Sequence, residues 1–408
     1  VRYIIVGNGP AALHAARAVR EKDPQGTITL LTAEPLPAYS PCLLADLVAN
    51  RVQEKQLQFV SPEFYQRHHI EVIAGESMMG LDSLAHRVYT DKERELAYDR
   101  LFLGIGAEPV MPSVPGIELD NVVPLKTLAD ARRIISLANS AKRVLIVGAG
   151  FIGLEIAQAL NHDGRQVTVI EALDHVLPKM LDAEMAQPVK HHLADQGLEI
   201  ITGSPLEAIL GNQRARAAKI AGQEIPTDLV VVTAGVRPRI SRLQNGTLEI
   251  GRGVRIDNHG RTSLPDVYAG GDLVEARDIF GQYSFLPNWF NATISGRTAG
   301  LNMAGDLSAT FPGLEQLNVV HVANQPVCAF GKTTAESFLV KTGSAWKKYF
   351  LDGDVLAGMQ WVGTALNAGV VINLIKSRRP IKGLLSMLES DRIGYGAILT
   401  PAVASQTG

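Results

Sequence analysis

Two stretches of this 408-residue chain repeat one pattern, and that repetition limits its fold more than any other feature. "YIIVGNGPAALHAARAVRE" begins at Tyr3 and "RVLIVGAGFIGLEIAQALN" at Arg143. Each is a short β-branched run, then glycines, then an alanine-rich stretch with helical spacing. Another apolar run follows each and ends in an acid, at Glu34 and at Glu171. These are two βαβ units of the dinucleotide-binding type, which predict parallel sheets with ligands at the carboxyl ends of the strands. Gly7 and Gly148 permit the tight turn, Gly9 and Gly150 let the backbone approach a pyrophosphate, and Ala12 and Gly153 keep helix close to strand. Phosphates then meet unpaired N–H groups at the positive helix end. Glycine-rich turns also occur without nucleotides. Two copies with strand, helix and acid in the right order argue for the ligand.

A chain of this length predicts two or three domains. With 46% hydrophobic residues, 20% charged and a net charge of −2, it reads as a soluble globular protein. That balance gives no reason to expect nucleic acid or a membrane surface as a partner. No apolar run reaches the roughly 20 residues that span a bilayer. The opening "VRYIIVGNGP" reads as a strand, with no secretory signal visible. The two cysteines, Cys42 and Cys328, form neither a CxxC nor a metal-ligand pattern, so a reducing, cytoplasmic setting is expected. The pairs His68-His69 and His191-His192 lack companion ligands, and no metal site is expected.

Further along, "RTSLPDVYAGGDLVE" (261–275) reads as a buried strand ending in Gly270 and Gly271, with Asp272 at its carboxyl end. Asp272 fits either a ligand contact or a helix cap. From about Phe311 the texture changes. "WKKYFLDGDVLAGMQWVG" reads as a hairpin of two alternating strands, and "NAGVVINLIKSRR" and "PIKGLLSMLES" read as helices. A separate α+β domain of about 95 residues is expected there.

The two fingerprints together with "TSLPDVYAGGD", "ELAYDRLFLGIGAEPVMPSVPG", "TDLVVVTAGVRPR" and "FLPNWFNATISGRTAGLNMAG" resemble the FAD-dependent pyridine nucleotide–disulfide oxidoreductase superfamily. The nearest-looking branch is that of the nitrite reductase flavin part and NADH:rubredoxin reductase. The resemblance implies an α/β protein with two Rossmann-like three-layer domains, one for FAD and one for NAD(H), plus a small α+β interface domain. It places the FAD domain at 1–112 and 241–310, the NAD(H) domain at 113–240 and the interface domain at 311–408. By the same resemblance FAD would contact Gly7, Gly9, Pro10, Ala11, Ala12, Glu34, Tyr39, Pro41, Cys42, Gly106, Gly271, Asp272, Trp289, Asn291 and Ala292. NAD(H) would contact Gly148, Gly150, Phe151, Ile152, Gly153, Glu155, Glu171 and Gly235, with Glu155 near the stacked nicotinamide and flavin rings. The helix beginning near Asn291 would aim its positive end at the flavin, although Trp289 and its apolar neighbours are equally core residues.

The chain departs from the family in two places. Ferredoxin-reductase relatives carry a Tyr-x-Arg-Pro run and then a lysine near the flavin; here Tyr39 remains, but Pro41 and Asp46 stand at the arginine and lysine positions. A lysine–glutamate pair therefore cannot form with Glu155. The second departure concerns Cys42. No second cysteine lies near it, which excludes a dithiol relay. The single-cysteine branch places its thiol close to this position but follows it with glycine, whereas Leu43 and Leu44 follow here.

The expected function is electron transfer between NAD(H) and a one-electron iron–sulfur protein or partner subunit, in an oligomer or a larger complex such as a 2-oxoacid oxidoreductase. One alternative is an NADH oxidase, peroxidase or coenzyme A disulfide reductase using Cys42. The other is a redox-inert nucleotide-sensing structural subunit. Cofactor choice follows from charge. Glu171 repels a 2′-phosphate, and "ALDHV" after it supplies no arginine, so NADH is predicted over NADPH. Steady-state kinetics with the two cofactors checks this; a higher kcat/KM with NADPH would overturn it.

Overall fold

The computed structural model describes residues 1–162, 164–243 and 248–396. The chain divides into two compact units. The first comprises Val1–Leu44, Val52–Pro109 and Val236–Glu315; the second comprises Ala45–Arg51, Val110–Gly235 and the chain from Gln316 onward. The region expected to bind NAD(H) and the C-terminal region thus group in one unit.

Unit 1 is built on a five-stranded sheet in the order Val267–Ala269, Arg100–Leu103, Arg2–Val6, Thr27–Thr32, Ile70–Ala74. All its pairs are parallel. Sequences such as RYIIV and TITLLT suit this, because a parallel strand covered on both faces needs continuous apolar character. The first fingerprint strand lies in the centre, with its crossover partner on one side and a later strand on the other. That arrangement creates the switch point where open α/β sheets bind ligands.

The fingerprint helix Pro10–Lys22 packs against the helix Trp289–Met303. Their contact is made of small residues. A Cβ on Gly296 would overlap the carbonyl oxygen of Ala11, and one on Gly300 that of Ala15. Ala11, Ala12, Ala15 and Ala16 are all buried beneath this crossing. The alanines of "GPAALHAARAV" therefore set helix separation as well as helical propensity.

Unit 2 repeats the plan in the order Glu199–Ile201, Gln166–Ile170, Arg143–Val147, Leu229–Val232, Val122–Pro124, again with parallel pairs throughout. The same unit carries an antiparallel sheet in the order Leu317–Val322, Gln325–Gly331, Val355–Val362, Ala345–Asp352, Ser337–Thr342. The expected hairpin is present, with Asp352 paired to Val355. Its second strand departs from the expected alternation, since all eight residues of Val355–Val362 are buried. The strand is central in its sheet and contacts the helices Ala183–Asp195 and Ala368–Ser377, so neither face is left for water. Polar links join the two sheets' regions within unit 2. Gln360 Oε1 accepts from the Asp182 amide at 2.9 Å, and Lys348 Nζ lies 2.8 Å from Asp182 and 2.7 Å from Glu184.

The C-terminal helices are present, although Leu385–Glu389 is only five residues long. No helix among the described residues is long and apolar enough to cross a membrane.

The helix crossing yields a stability prediction. Gly296→Ala or Gly300→Ala should each destabilise the protein by about 1–3 kcal/mol, because a methyl group must displace a backbone carbonyl. Urea denaturation measures this, and a neutral effect of both substitutions would refute the close-packing account.

Candidate dinucleotide-binding sites

Both fingerprints end their strands on a glycine that no other residue replaces easily. Gly7 has φ +119° and Gly148 φ +108°. A Cβ on Gly7 would strike the carbonyl of Gly104, and one on Gly148 that of Thr233. Gly153 is equally confined, since its Cβ would meet the Gly148 carbonyl oxygen. Gly9 and Gly150 are different: nothing lies within 4 Å of a Cβ built on either. The open side of each loop is the space a phosphate needs.

The helices leave amides for that phosphate. The first intrahelical bond is donated by Leu13 to the Gly9 carbonyl at 3.1 Å in one unit, and by Leu154 to the Gly150 carbonyl at 3.0 Å in the other. The preceding amides of Ala11 and Ala12, and of Phe151, Ile152 and Gly153, have no intrahelical acceptor. Pro10 stands at the first helical position, where its missing N–H costs no bond. These features fit a dinucleotide pyrophosphate in each unit.

The acids at the ends of the second strands are already oriented. Tyr39 donates its hydroxyl to Glu34 Oε2 at 2.8 Å. Glu171 accepts from the amide of Ala149, inside the glycine loop, at 2.8 Å and from that of Leu173 at 3.0 Å. Glu171 is thus fixed beside its own fingerprint loop, while Glu34 is held by Tyr39. Gly235, with φ +99°, lies in unit 2 near Lys179, whose Nζ is 3.4 Å from a Cβ built there.

Unit 1 brings several of its other expected residues together. Gly271 and Asp272 form the turn Gly271–Leu273, and the Gly271 Cβ position lies 2.9 Å from Ala11 Cβ and 3.7 Å from Ala292 Cβ. Gly270, not Asp272, stands at the cap of that turn. Gly106 has φ +68° directly after the strand Arg100–Leu103 and Gly104-Ile105. Asn291 is buried and wholly engaged. Its side chain donates to the carbonyls of Leu286 and Glu315 and accepts from the Glu315 amide. Asn288 caps that helix by accepting from the Asn291 amide at 2.7 Å. Trp289 packs edge-on against Phe59, with ring centroids 4.8 Å apart.

Two residues of this neighbourhood escaped the sequence reading. Asn8, between Gly7 and Gly9, accepts from the Tyr65 hydroxyl at 2.8 Å and donates to Leu36 O at 3.4 Å, tying the loop to two other segments. Its place between two glycines was a legible signal. Ser295 accepts from the Gly271 amide at 3.0 Å while donating to Asn291 O at 2.6 Å, and no local pattern marks it.

Pro41, Cys42 and Leu43 form a single 3-10 turn followed by the short helix Leu44–Val48. The Cys42 thiol is exposed. Cys328 is fully buried in a central strand of the antiparallel sheet, and burial pushes its thiol up to about 11, which makes it inert. Asp46, in the helix after Cys42, accepts from Arg51 Nε at 2.7 Å. Both act electrostatically on Glu155 of the helix Phe151–Leu160. Burial first, and then the Asp46 carboxylate, raise the Glu155 carboxyl to about 7, with Arg51 opposing.

The sequence model of the pyridine nucleotide-disulphide oxidoreductase family matches residues 1–296. An NADH oxidase of Methanocaldococcus jannaschii is 34% identical over 77% of this chain and 72% of its own length. The epsilon subunit of an NADH-dependent phenylglyoxylate dehydrogenase from Aromatoleum evansii is 27% identical over 97% of this chain and 96% of that subunit. Among solved structures, an NAD-dependent persulfide reductase from A. fulgidus superposes with a TM-score of 0.89 at 30% identity, covering 95% of this chain and 79% of that one.

The Glu155 carboxyl gives a pH prediction. The folded state holds a proton on it between its ordinary value of 4.5 and about 7, where the unfolded chain has released it. Stability from this group is complete below about 4.5 and is lost as pH rises through about 7. Relative to the native protein, Glu155→Gln should therefore gain stability across that window. Denaturation midpoints at several pH values measure the difference, and a constant difference would refute it.

Proposed function

Because the chain belongs to the pyridine nucleotide-disulphide oxidoreductase family, we propose that it passes electrons between NAD(H) and a one-electron iron–sulfur protein or partner subunit. It is an FAD-dependent NAD(H) oxidoreductase, and its cofactors are FAD and NAD(H). Bound FAD supplies two-electron exchange with NAD(H) and one-electron exchange with an acceptor.

The chain's own residues bind and orient. In this reading the discontinuous unit 1 binds FAD. The Gly7–Gly9 loop and the amides after it receive the pyrophosphate, and Glu34, held by Tyr39, receives the adenosine ribose. Ser295 holds the turn that brings Asp272 beside the same helix start. In unit 2 the Gly148–Gly150 loop receives the NAD(H) pyrophosphate. Glu171, an acceptor by charge, takes ribose hydroxyls and disfavours a 2′-phosphate. No general acid or base is required for hydride exchange, so positioning is the main contribution of the protein.

The observation that carries this reading is the thiol count set against two complete fingerprints. Cys328 is sealed in a strand, which leaves Cys42 without a cysteine to form a dithiol relay. In this reading, electrons entering as hydride leave from the flavin itself. One relative matching nearly the whole chain is a subunit of an NADH-dependent dehydrogenase acting, by its name, on a 2-oxoacid. That supports a partner-subunit role, with electrons running toward NAD⁺ in such a complex.

A second reading rests on the exposure of Cys42 together with the likeness to a persulfide reductase. There the Cys42 thiolate would be the sulfur-handling group. Anaerobic titration separates the two. Electron transfer through flavin alone predicts about one NADH per FAD for full reduction, whereas a redox-active thiol store predicts about two. Cys42→Ser should leave dye reduction by NADH within about twofold of native; a loss of about a hundredfold would favour the thiol reading.

A further inference from the structure

A cavity of about 1020 Å³ lies at the amino ends of the parallel sheet of unit 2, the end away from the second fingerprint. Arg143 and Gln166, in its wall, are the first residues of their strands, and Asn121 and Asp228 immediately precede theirs. Arg143 and Gly148 stand five residues apart along an extended strand, which keeps the cavity about 16 Å from the turn of the glycine loop. The electron-transfer reading makes no use of this place.

Its charge is one-sided. Lys142, Arg143, Arg214 and Arg216 line it against a single carboxylate among the described residues, Asp228, a net charge of +3 in a chain whose own net charge is −2. Asp228 is already saturated. It accepts from the amides of Lys142 and Arg143 at 3.1 and 2.9 Å and from the Arg143 guanidinium at 2.6 Å. The side chains of Lys142, Arg214 and Arg216 have no hydrogen-bond or ion-pair partner among the described residues. Three cations thus share one hollow without a counter-charge.

The backbone that carries them is fixed. Buried Asn121 accepts from the Ala215 amide at 2.6 Å and donates to the carbonyls of Ala215 and Asp228 at 3.0 and 2.6 Å. This clamps Ala215, and with it Arg214 and Arg216 on either side, to the amino ends of the sheet. The Arg216 carbonyl also accepts from the Thr227 amide at 2.9 Å. Cations on a rigid frame lose little freedom when an anion enters.

We propose that this cavity binds a compact, multiply charged phosphate compound, held by Arg214, Arg216 and Lys142. Guanidinium forks match phosphate oxygens and give charge-assisted hydrogen bonds. The size suits a small molecule. An acidic protein is the poorer fit, because alanines are the only apolar side chains among the described lining residues and no aromatic or large aliphatic anchor is present.

The test titrates inorganic tripolyphosphate into the FAD-loaded protein by calorimetry, with NAD⁺ saturating so that the fingerprint loops are occupied. Native protein should bind it with a micromolar dissociation constant that weakens as salt is raised. Arg214→Gln and Arg216→Gln should each weaken binding about tenfold and the double variant about a hundredfold, the scale of one charge-assisted bond per arginine. Both arginines are exposed, and the variants should bind NAD⁺ within about twofold of native, which shows them folded. Absence of binding below millimolar concentration would overturn the inference. So would binding that NAD⁺ abolishes, binding that survives in the double variant, or equal affinity for citrate, a polyanion without phosphate.

Discussion

A backbone carbonyl pressed against a residue with no side chain is the contact on which this molecule depends. Gly7 meets Gly104, Gly148 meets Thr233, Gly153 meets Gly148, and Gly296 and Gly300 meet Ala11 and Ala15. Each contact brings two backbone segments closer than any side chain would allow. At the strand ends this closeness turns the chain sharply into a helix and leaves amides facing outward. At the helix crossing it seats Trp289–Met303 on Pro10–Lys22, and through Ser295 it positions the Gly271–Asp272 turn beside the first fingerprint. The binding features of unit 1 are thus consequences of close packing. Within the two fingerprint loops, open space remains at Gly9 and Gly150.

The electrostatic design is layered on that frame. Glu34 and Glu171 are carboxylates with donors already in place, so they remain acceptors suited to hydroxyl groups. Glu155 is the opposite case. It is a carboxyl without a bonded partner, near a second carboxylate whose own counter-charge is Arg51. Arg51, five residues after Asp46, bonds that carboxylate and makes no direct bond to Glu155. Glu171, just past the end of its strand, and Glu155, inside the fingerprint helix, therefore differ because of what surrounds them.

The fingerprints, the parallel strands between them, the hairpin after Phe311 and the strand at Val267–Ala269 were legible in local pattern, because turn glycines and apolar runs leave their mark within about ten residues. Side-chain partnerships across the chain were not. Nothing near Ser295 points to Gly271, and nothing near Tyr65 points to Asn8. The full burial of Val355–Val362 also escaped the alternation argument, since a strand covered on both faces is recognised by what packs on it rather than by its own spacing.

By itself, the sequence determined that two dinucleotide-binding units exist, where their loops lie, which acids end their second strands and that only two thiols are present. Those properties depend on residue type at short separation, where covalent connection enforces proximity. Only the tertiary structure decided that Ala45–Arg51 joins the second unit, that Arg51 bonds Asp46 there, and that Cys42 is exposed while Cys328 is sealed. These depend on burial and on the meeting of distant segments, and the local order of residues encodes neither.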